Sequence, residues 1–376
     1  MDRGLFVALM LLLGFGIVLV YSSSFALAEQ RFGGSEFFVV RQMVRALLAL
    51  IGFMVFINVD YHFWSRLSNM GYVVAAVLLF VVLVLPESYA INGAKRWISI
   101  GSLKFQVSDF ARMVLILFIA RHVEESGSAI KTFRGYIRMV GMIALICVLI
   151  LLEPGFSTSV IIGLIGVAML FMGGARVLHQ LGLFCAAVPA AILAALLMPH
   201  SKQRIVNFIH GQDSLQALGY QAYQSIIGLG NGGLFGVGIG KGEQKYFYLP
   251  EPHTDFVLSI LGEEIGFVGL MMVAAVFGFI IYRGMNIALK APDRTGQLMA
   301  FGFTFAIAMY ALLHAGVAVG LVPTTGVPLP FISYGGMGLI FTVCSMGIVL
   351  NISGQSRFGL IDEGIRPAHR LSRMGN

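Results

Sequence analysis

"GLFVALMLLLGFGIVLVYSSSFAL", residues 4–27, contains no charged side chain and is long enough to exceed the roughly 20 apolar residues that a helix needs to cross a bilayer. Stretches of the same kind recur along the whole chain. Hydrophobic residues make up 58% of the sequence and charged residues 11%, whereas soluble domains are about 45–50% apolar and about 25% charged. The sequence therefore predicts a polytopic integral membrane protein.

The apolar stretches also predict the number of spans. Backbone groups in hydrocarbon must be paired within the protein, which leaves helices or a closed barrel, and continuous apolar runs without alternation favour helices. No small-residue cleavage site follows the first stretch, so we expect a retained helix rather than a signal peptide. The whole chain, 1–376, is interpreted as one all-α membrane domain with about ten transmembrane helices, at 4–27, 43–58, 70–85, 106–123, 137–152, 156–172, 178–198, 256–282, 299–322 and 336–352.

An even number of spans places both termini on one side of the membrane. Lys and Arg near helix ends favour the cytoplasmic side, and the loops on the terminal side carry slightly more of them, including the tail at about 353–376. We therefore expect cytoplasmic termini. The segment at about 199–255, between the seventh and eighth spans, then becomes a large extracytoplasmic loop, and loops of that length usually have a function.

Polar residues concentrate in three connections that this orientation places on the outer face, at 86–112, 199–255 and 320–338. The glycine-rich run at 228–240 is interpreted as flexible chain that leads into a polar and aromatic cluster. We expect the chemistry to lie where these three connections meet.

Asp255 is the leading candidate for a reactive group. It ends the long connection at the start of the eighth span, where a carboxyl would lie close to hydrocarbon and still be open to water. That is a suitable place for a general base. A carboxylate there could equally cap the helix N-terminus, and spacing alone does not decide between the two.

Other charged residues have similar alternatives. Glu263 and Glu264 follow two turns later, and at least one should face the bundle interior, either in a substrate site or in a buried pair with Lys or Arg. Asp109 and Arg112 are three residues apart and can pair along one helix face or orient a charged ligand.

The basic pair at Lys95 and Arg96 could hold a phosphate or pyrophosphate through charge-assisted hydrogen bonds. Trp97, the next residue, is equally typical of an anchor at the membrane surface.

Several kinds of site are excluded. The glycine-rich run lacks the terminal Gly-Lys-Ser/Thr of a phosphate loop, no His and Cys spacing is zinc-like, and no Gly-x-Ser-x-Gly element occurs. Basic residues are spread over many loops rather than collected in a nucleic-acid-binding arm. Cys147, Cys185 and Cys344 lie in apolar runs and are interpreted as small core residues.

Three groups of motifs in order carry a family resemblance: NGAKRWISIG and FQVSDFAR (92–101 and 105–112), LPEPHTDFVLSILGEEIGFVG (249–269), and GLVPTTGVPLPFISYGG (320–336). Together they resemble the SEDS family (shape, elongation, division and sporulation), the polytopic peptidoglycan glycosyltransferases of bacteria. VYSSSFALAEQRFG (20–33) and LPFISYGG (329–336) are more similar to the cell-division, FtsW-like members than to the elongation, RodA-like members.

The chain departs from the family pattern at several positions. Asp109, Val107 and Arg112 stand where the family usually has Glu, Pro and Lys, and Gly155 and Ser157 stand where it has an acid and a glycine. The role of that acid is therefore open in this chain, although Glu153 remains two residues away.

The resemblance implies polymerisation of lipid II into β-1,4 glycan strands, with release of undecaprenyl pyrophosphate, for septal wall synthesis in division. Asp255 would deprotonate the acceptor 4-hydroxyl, which attacks the anomeric carbon of the other substrate with inversion. The leaving pyrophosphate then needs a cationic partner, and Lys95, Arg96, Arg112 or a divalent ion such as Mg²⁺ or Mn²⁺ could supply it; the metal ligands are unknown.

The resemblance further implies a class B penicillin-binding protein transpeptidase as partner, with other division proteins and membrane lipid, and no nucleic acid. Three alternatives stay open: an elongation-type polymerase, a lipid II flippase or other transporter, and a non-catalytic scaffold for a transpeptidase. No internal repeat of the kind common in transporters is visible. The residues expected to bind substrate beside the catalytic Asp255 are Lys95, Arg96, Trp97, Gln106, Ser108, Asp109, Arg112, His253, Thr254, Glu263, Glu264, Ser333 and Tyr334.

Overall fold

The computed structural model describes residues 1–86, 96–100, 103–210, 219–246, 248–250 and 252–365. Within these ranges the chain forms twelve α-helices: α1 (Arg3–Phe32), α2 (Phe37–Asn58), α3 (Tyr61–Val84), α4 (Val107–Ser126), α5 (Phe133–Leu152), α6 (Phe156–Met172), α7 (Val177–Leu197), α8 (Pro199–His210), α9 (Tyr220–Gly232), α10 (Val257–Leu289), α11 (Arg294–Ala318) and α12 (Gly338–Ile365). A small antiparallel hairpin precedes α4, with β1 (Trp97–Ile100) paired to β2 (Leu103–Gln106).

The prediction of an all-α membrane fold is confirmed. Each of the ten predicted apolar stretches coincides with a helix, α1–α7 or α10–α12. In the described part of the chain, eight helices are long and apolar enough to cross a membrane. The remaining two of the ten are α4, which carries charged residues near both ends, and α6, which is shorter at 17 residues.

The centre of the bundle is formed by α4 and α11. α4 packs against α3, α6, α11 and α12, and most of its length is buried. At the other extreme, α7 packs only lightly on α6 and exposes most of its surface. Cys185 lies on this exposed surface, so its interpretation as a core residue was wrong, whereas Cys344 is buried and Cys147 is half-buried.

The connection between α7 and α10 is partly helical, which corrects its interpretation as an open loop. α9 packs against α10 and α11 through a face of small buried residues spaced three or four apart. Small residues allow helices to approach closely, so Gly228 and Gly232 serve packing rather than flexibility. The buried residues of this face are Ala222, Ser225, Gly228 and Gly232.

α10 is interrupted at Gly266, whose φ of 72° and ψ of −169° are not helical. Such a break frees backbone groups that hydrocarbon cannot satisfy. The segment after α9 satisfies them with four backbone hydrogen bonds. These run from Val237 to Glu263 (2.9 Å), from Gly238 to Glu264 (3.0 Å), from Phe267 to Gly233 (2.9 Å) and from Val268 to Leu234 (3.1 Å).

Two carboxylates strengthen the same junction. Nζ of Lys245 lies 2.5 Å from Oε1 of Glu264, and the Ser22 hydroxyl of α1 donates to the other oxygen of Glu264 at 2.6 Å. Glu263 accepts from the backbone N–H groups of residues 243 and 244, at 2.9 and 3.1 Å. Both glutamates are buried, so the polar residues after α9 are tied to α1 and α10.

The N-terminus and the end of the last span lie side by side. The backbone N–H of Asp2 donates to the Ser353 hydroxyl at 2.9 Å, and the Asp2 carboxylate accepts from Arg283 at 2.5 Å. The start of α1 therefore contacts the C-terminal part of α12, which is the arrangement expected for an even number of crossings.

The Lys245→Met substitution tests the buried pair. It leaves the Glu264 carboxylate without its counter-charge, and breaking a buried pair in this way costs about 3–5 kcal/mol. We expect a clear fall in the thermal unfolding midpoint of the purified protein. Lys241→Met, at an exposed lysine in the same segment, is the control and should unfold like the wild type; equal midpoints for all three proteins would show that the pair does not hold the segment.

Candidate functional site

Asp255 lies in a turn immediately before α10, and the connection between α11 and α12 holds this turn in place. The N–H of Tyr334 donates to the carbonyl of His253 at 2.8 Å. The Ser333 hydroxyl donates to the carbonyl of Thr254 at 2.7 Å. Two of the three predicted connections therefore meet at residues 253–255, and the Asp255 side chain remains partly exposed.

Arg204 of α8 lies at the same place. A methyl group on Gly326 would be 3.6 Å from Oδ2 of Asp255 and 3.9 Å from Nη2 of Arg204, so both charged groups border this glycine. Gly326 has a φ of 70°, which residues with a side chain rarely adopt. The site thus places a carboxylate and a guanidinium next to a glycine, whose missing side chain leaves the space between them open.

Arg96 is the second cation of this region. Its Nε donates to the carbonyl of Glu153 at 3.1 Å, and its Nη2 donates to the carbonyl of Pro154. Burial lowers the pKa of Arg96, and the positive charge of the nearby Arg204 lowers that pKa further. The first outer connection therefore reaches the other two, as the sequence predicts.

Glu153 is buried beside Arg96. Burial raises the pKa of this carboxyl to about 8, although the positive charge of Arg96 acts in the opposite direction. Glu153, the acid two residues before the position where the family usually has one, is thus largely protonated at pH 7. Gly155 itself has no room for a side chain, since a methyl group there would lie 2.7 Å from the carbonyl oxygen of Ile150.

A cavity of about 60 Å³ adjoins the turn. Its wall includes Tyr310 of α11 and residues 328–331 and 335–339. The buried hydroxyl of Ser108 accepts from the amide of Gln106, a lining residue, at 3.1 Å. Five of the residues expected to bind substrate line the cavity: Trp97, Gln106, Asp109, Arg112 and Ser333.

Arg112 is fixed within this cavity by three neighbours. Its Nη2 donates to the Thr342 hydroxyl at 3.1 Å and lies 3.7 Å from Oδ1 of Asp109. Its guanidinium carbon lies 4.4 Å from the centre of the Tyr310 ring. The predicted pairing of Asp109 and Arg112 along α4 is present, and it places one carboxylate and one cation in the cavity wall.

His253 is 2% exposed and packs between aromatic rings, 4.4 Å from Phe38 and 5.3 Å from Tyr334 between ring centres. Burial lowers the pKa of His253 to about 4, and the positive charge of Arg31 acts in the same direction. The imidazole is therefore neutral at pH 7 and positions the turn through packing.

The structure does not bring every predicted residue to the site. Glu264 forms the buried pair with a lysine that was one of the two predicted alternatives, whereas Glu263 accepts backbone N–H groups of the segment after α9 and pairs with no Lys or Arg among the described residues. Lys95 lies outside the described residues. Arg204 was not predicted, because the segment at 199–255 was taken as a loop. A helical reading of PHSKQRIVNFIH (199–210) would have pointed to its basic residues.

A resident metal ion finds little support in the side chains. Within the ranges that the structure describes, no three His, Cys, Asp or Glu residues group together in a way that could hold one. Among the described residues, the Asp255 turn and the cavity wall each contain one carboxylate, so these side chains alone do not complete the ligand set of a divalent cation.

Comparisons with known proteins agree with this architecture. A solved structure described as structural coordination of polymerization and crosslinking by a peptidoglycan synthase complex superposes with a TM-score of 0.77 and 26% identity, covering 94% of this chain and 98% of that chain. The crystal structure of Thermus thermophilus rod shape determining protein RodA superposes with a TM-score of 0.71 and 26% identity, covering 94% of this chain and 97% of that chain.

Sequence relatives extend over nearly the same length. Stage V sporulation protein E of Bacillus subtilis (strain 168) is 35% identical over 95% of this chain and 98% of its own. The probable peptidoglycan glycosyltransferase FtsW of Geobacter sp. (strain M18) is 36% identical over 91% of this chain and 94% of its own. A family model described as cell cycle protein, for FtsW, RodA and SpoVE, matches residues 3–358. The chain therefore belongs to the FtsW/RodA/SpoVE family, the SEDS proteins.

Proposed function

We propose that this chain is a peptidoglycan glycosyltransferase of the bacterial inner membrane, which polymerises lipid II into β-1,4 glycan strands for septal wall synthesis. The names of the FtsW relatives support the activity and the role in division. The observation that carries the proposal is the placement of the Asp255 carboxylate beside Arg204 at Gly326, with Arg96 within electrostatic reach of Arg204.

Asp255 is the general base in this proposal. Its carboxylate takes the proton of the acceptor 4-hydroxyl, the resulting oxygen attacks the anomeric carbon of the donor, and the bond from that carbon to the pyrophosphate oxygen breaks. The product is a β-1,4 link, and undecaprenyl pyrophosphate leaves with the electron pair. The requirement on the protein is a carboxylate that is held in place and open to a ligand, which fits a partly exposed Asp255 in a hydrogen-bonded turn.

Arg204 and Arg96 balance the charge that develops on the leaving pyrophosphate. Guanidinium groups suit this role because their planar donors match phosphate oxygens, and fixed cations at the point of charge development lower the barrier. The two arginines repel each other in the free protein, and an anion between them would relieve that repulsion.

The cavity at Asp109 and Arg112 is assigned to substrate orientation. Arg112 is already held by Thr342 and Tyr310, so a ligand would meet a preorganised cation rather than a mobile one. A divalent cation, Mg²⁺ or Mn²⁺, enters the proposal only as a companion of the substrate pyrophosphate, with no step assigned to it.

The proposed orientation has both termini in the cytoplasm and the Asp255 turn on the outer face. The contact between Asp2 and Ser353 supports a common side for the two ends, and the basic tail favours the cytoplasm. A transpeptidase of the penicillin-binding class is the proposed partner, supported by the similar chain's membership of a peptidoglycan synthase complex; further division proteins remain expected partners.

Transport is the less favoured alternative. Transporters often bind substrates at broken helices, and α10 is broken at Gly266. The groups freed by that break are paired with the chain's own backbone and with its glycine-rich segment, so the break supports a structural role.

The Asp255→Asn substitution is the first test. It keeps the size of the side chain and removes its basicity, so polymerisation of labelled lipid II should fall at least about a hundredfold, within the range of about 10²–10⁴ for general-base removal. Glu243→Gln, at an exposed acid of the same connection, is the matched control. Wild-type rates in the Asp255 variant, or an equal fall in the control, would refute the assignment of the base.

The Arg204→Gln substitution tests the role of the unpredicted arginine. Loss of one stabilising donor for a developing anion typically lowers kcat about 10²–10³-fold, and Arg204→Lys should recover part of the rate because it keeps the charge. Lys202→Gln changes an exposed cation of the same helix and should leave the rate within about twofold of the wild type. Equal rates for the Lys202 and Arg204 variants would show that Arg204 adds only to the overall positive charge of α8, and would contradict its role at the leaving pyrophosphate.

A further inference from the structure

Arg45 of α2 is a buried cation that the proposed mechanism does not use. Its side chain is 5% exposed, and its guanidinium carbon lies 4.4 Å from the centre of the Tyr334 ring. Its Nη1 is buried and has no hydrogen-bond partner among the described residues. Among the described residues, no carboxylate lies within ion-pair distance of the Arg45 guanidinium.

Gln42 lies one helical turn before Arg45 on the same face of α2. It is 1% exposed, and its Nε2 makes only a long hydrogen bond, 3.4 Å, to the carbonyl of Ser333. Its Oε1 is buried and has no partner in the described structure. The two side chains therefore present one unused donor and one unused acceptor.

Such an arrangement is unfavourable for the protein alone. A buried charge normally has a counter-charge, and a buried polar atom normally has a hydrogen bond. Arg45 lies about two turns into α2, a helix that is long and apolar enough to cross a membrane, and charges within such spans are costly. A buried cation in such a span, with no carboxylate beside it among the described residues, is expected to have a functional partner.

Contacts of the two residues point to the same turn that holds Asp255. Gln42 contacts Ser333, and Arg45 contacts Tyr334. Ser333 donates a hydrogen bond to the carbonyl of Thr254, and Tyr334 donates one to the carbonyl of His253. The cations on the other part of the site, Arg96 and Arg204, contact the α5–α6 connection and Gly326 instead. Two separate sets of cations therefore adjoin the Asp255 turn.

We propose that Gln42 and Arg45 form a polar subsite for the phosphate and adjoining sugar of a lipid-linked substrate. The inference rests on the proposed function, in which two lipid-linked molecules meet at Asp255 and each carries phosphate charge. The donor's pyrophosphate belongs to Arg96 and Arg204, and the Gln42–Arg45 subsite serves the acceptor. Arg45 donates to a phosphate oxygen, and Oε1 of Gln42 accepts from a sugar hydroxyl or amide N–H.

Two further cations lie near the subsite along the chain. Arg31 and Arg41 are exposed near the start of α2, and the guanidinium carbon of Arg41 lies 3.8 Å from the centre of the Phe37 ring. A phosphate that approaches laterally at membrane-surface depth would meet these cations before it reaches Arg45.

Arg45→Met separates a binding role from a structural one by the sign of its effect on stability. Replacing a buried, unpaired charge by an apolar side chain of similar length should leave the unfolding midpoint of the ligand-free protein unchanged or raised. If Arg45 binds substrate, the same variant should raise the KM for lipid II roughly tenfold or more, with a smaller change in kcat. Arg45→Lys should recover part of the affinity, and Arg66→Met, at an exposed arginine of α3, should match the wild type in both measurements.

Binding of an unreactive lipid II, with hydrogen in place of the acceptor 4-hydroxyl, provides a readout independent of catalysis. We expect it to raise the unfolding midpoint of the wild type by more than that of Arg45→Met. An inactive wild type that still shows this Arg45-dependent shift would remove the proposed polymerase function and retain the binding subsite. The subsite would be overturned if ligand-free Arg45→Met had a lower unfolding midpoint and an unchanged KM. It would also be overturned if phosphatidylglycerol alone gave an equal Arg45-dependent shift in the midpoint, because that result would identify a general site for lipid headgroups.

Discussion

The architecture depends on the pairing of backbone groups where α10 is interrupted at Gly266. In hydrocarbon, each unpaired N–H or C=O group costs several kcal/mol, so a broken helix persists only where other chain fills the break. The glycine-rich segment after α9 does this, because glycines allow its backbone to approach within hydrogen-bonding distance of residues 263–268. Lys245 and Glu264 add a buried ion pair at the same junction. Asp255 directly precedes the N-cap of α10, so the helix stabilised by this junction is the one that follows the candidate base.

A second consequence is an excess of cations around the Asp255 turn. Arg96 and Arg204 adjoin one part of it, Arg112 lies in the neighbouring cavity, and Arg45 lies buried behind Tyr334. Arg112 lies 3.7 Å from the Asp109 carboxylate, and the arginines of this region outnumber the carboxylates named here. Substrates that carry pyrophosphate would supply the missing negative charge, which connects the electrostatics of this peptidoglycan glycosyltransferase to the chemistry of its substrate class.

The fold was predictable from the sequence because hydrocarbon imposes a simple pattern, and each apolar stretch became a helix. The pairing of Asp109 with Arg112 was also predictable, because charges next to such stretches are rare; the roles of Asp255 and Arg96 stay predictions. The helices α8 and α9 were not predicted, since their residues are polar or small and have no long apolar run. Arg204 and the roles of Glu263 and Glu264 depend on how these helices and the glycine-rich segment pack, which local sequence does not specify. Arg45 was overlooked because the lack of a carboxylate beside it, among the described residues, is visible only in three dimensions.

The central claim is that the Asp255 carboxyl is open to the outer face of the membrane. An Asp255→Cys variant in a background without Cys147, Cys185 and Cys344 allows a direct measurement with a membrane-impermeant thiol reagent. An outer-face site predicts rapid labelling in intact spheroplasts, and slower labelling when unreactive lipid II is present. Labelling that occurs only after the membrane is permeabilised would place the carboxyl on the cytoplasmic side and contradict the proposed enzyme.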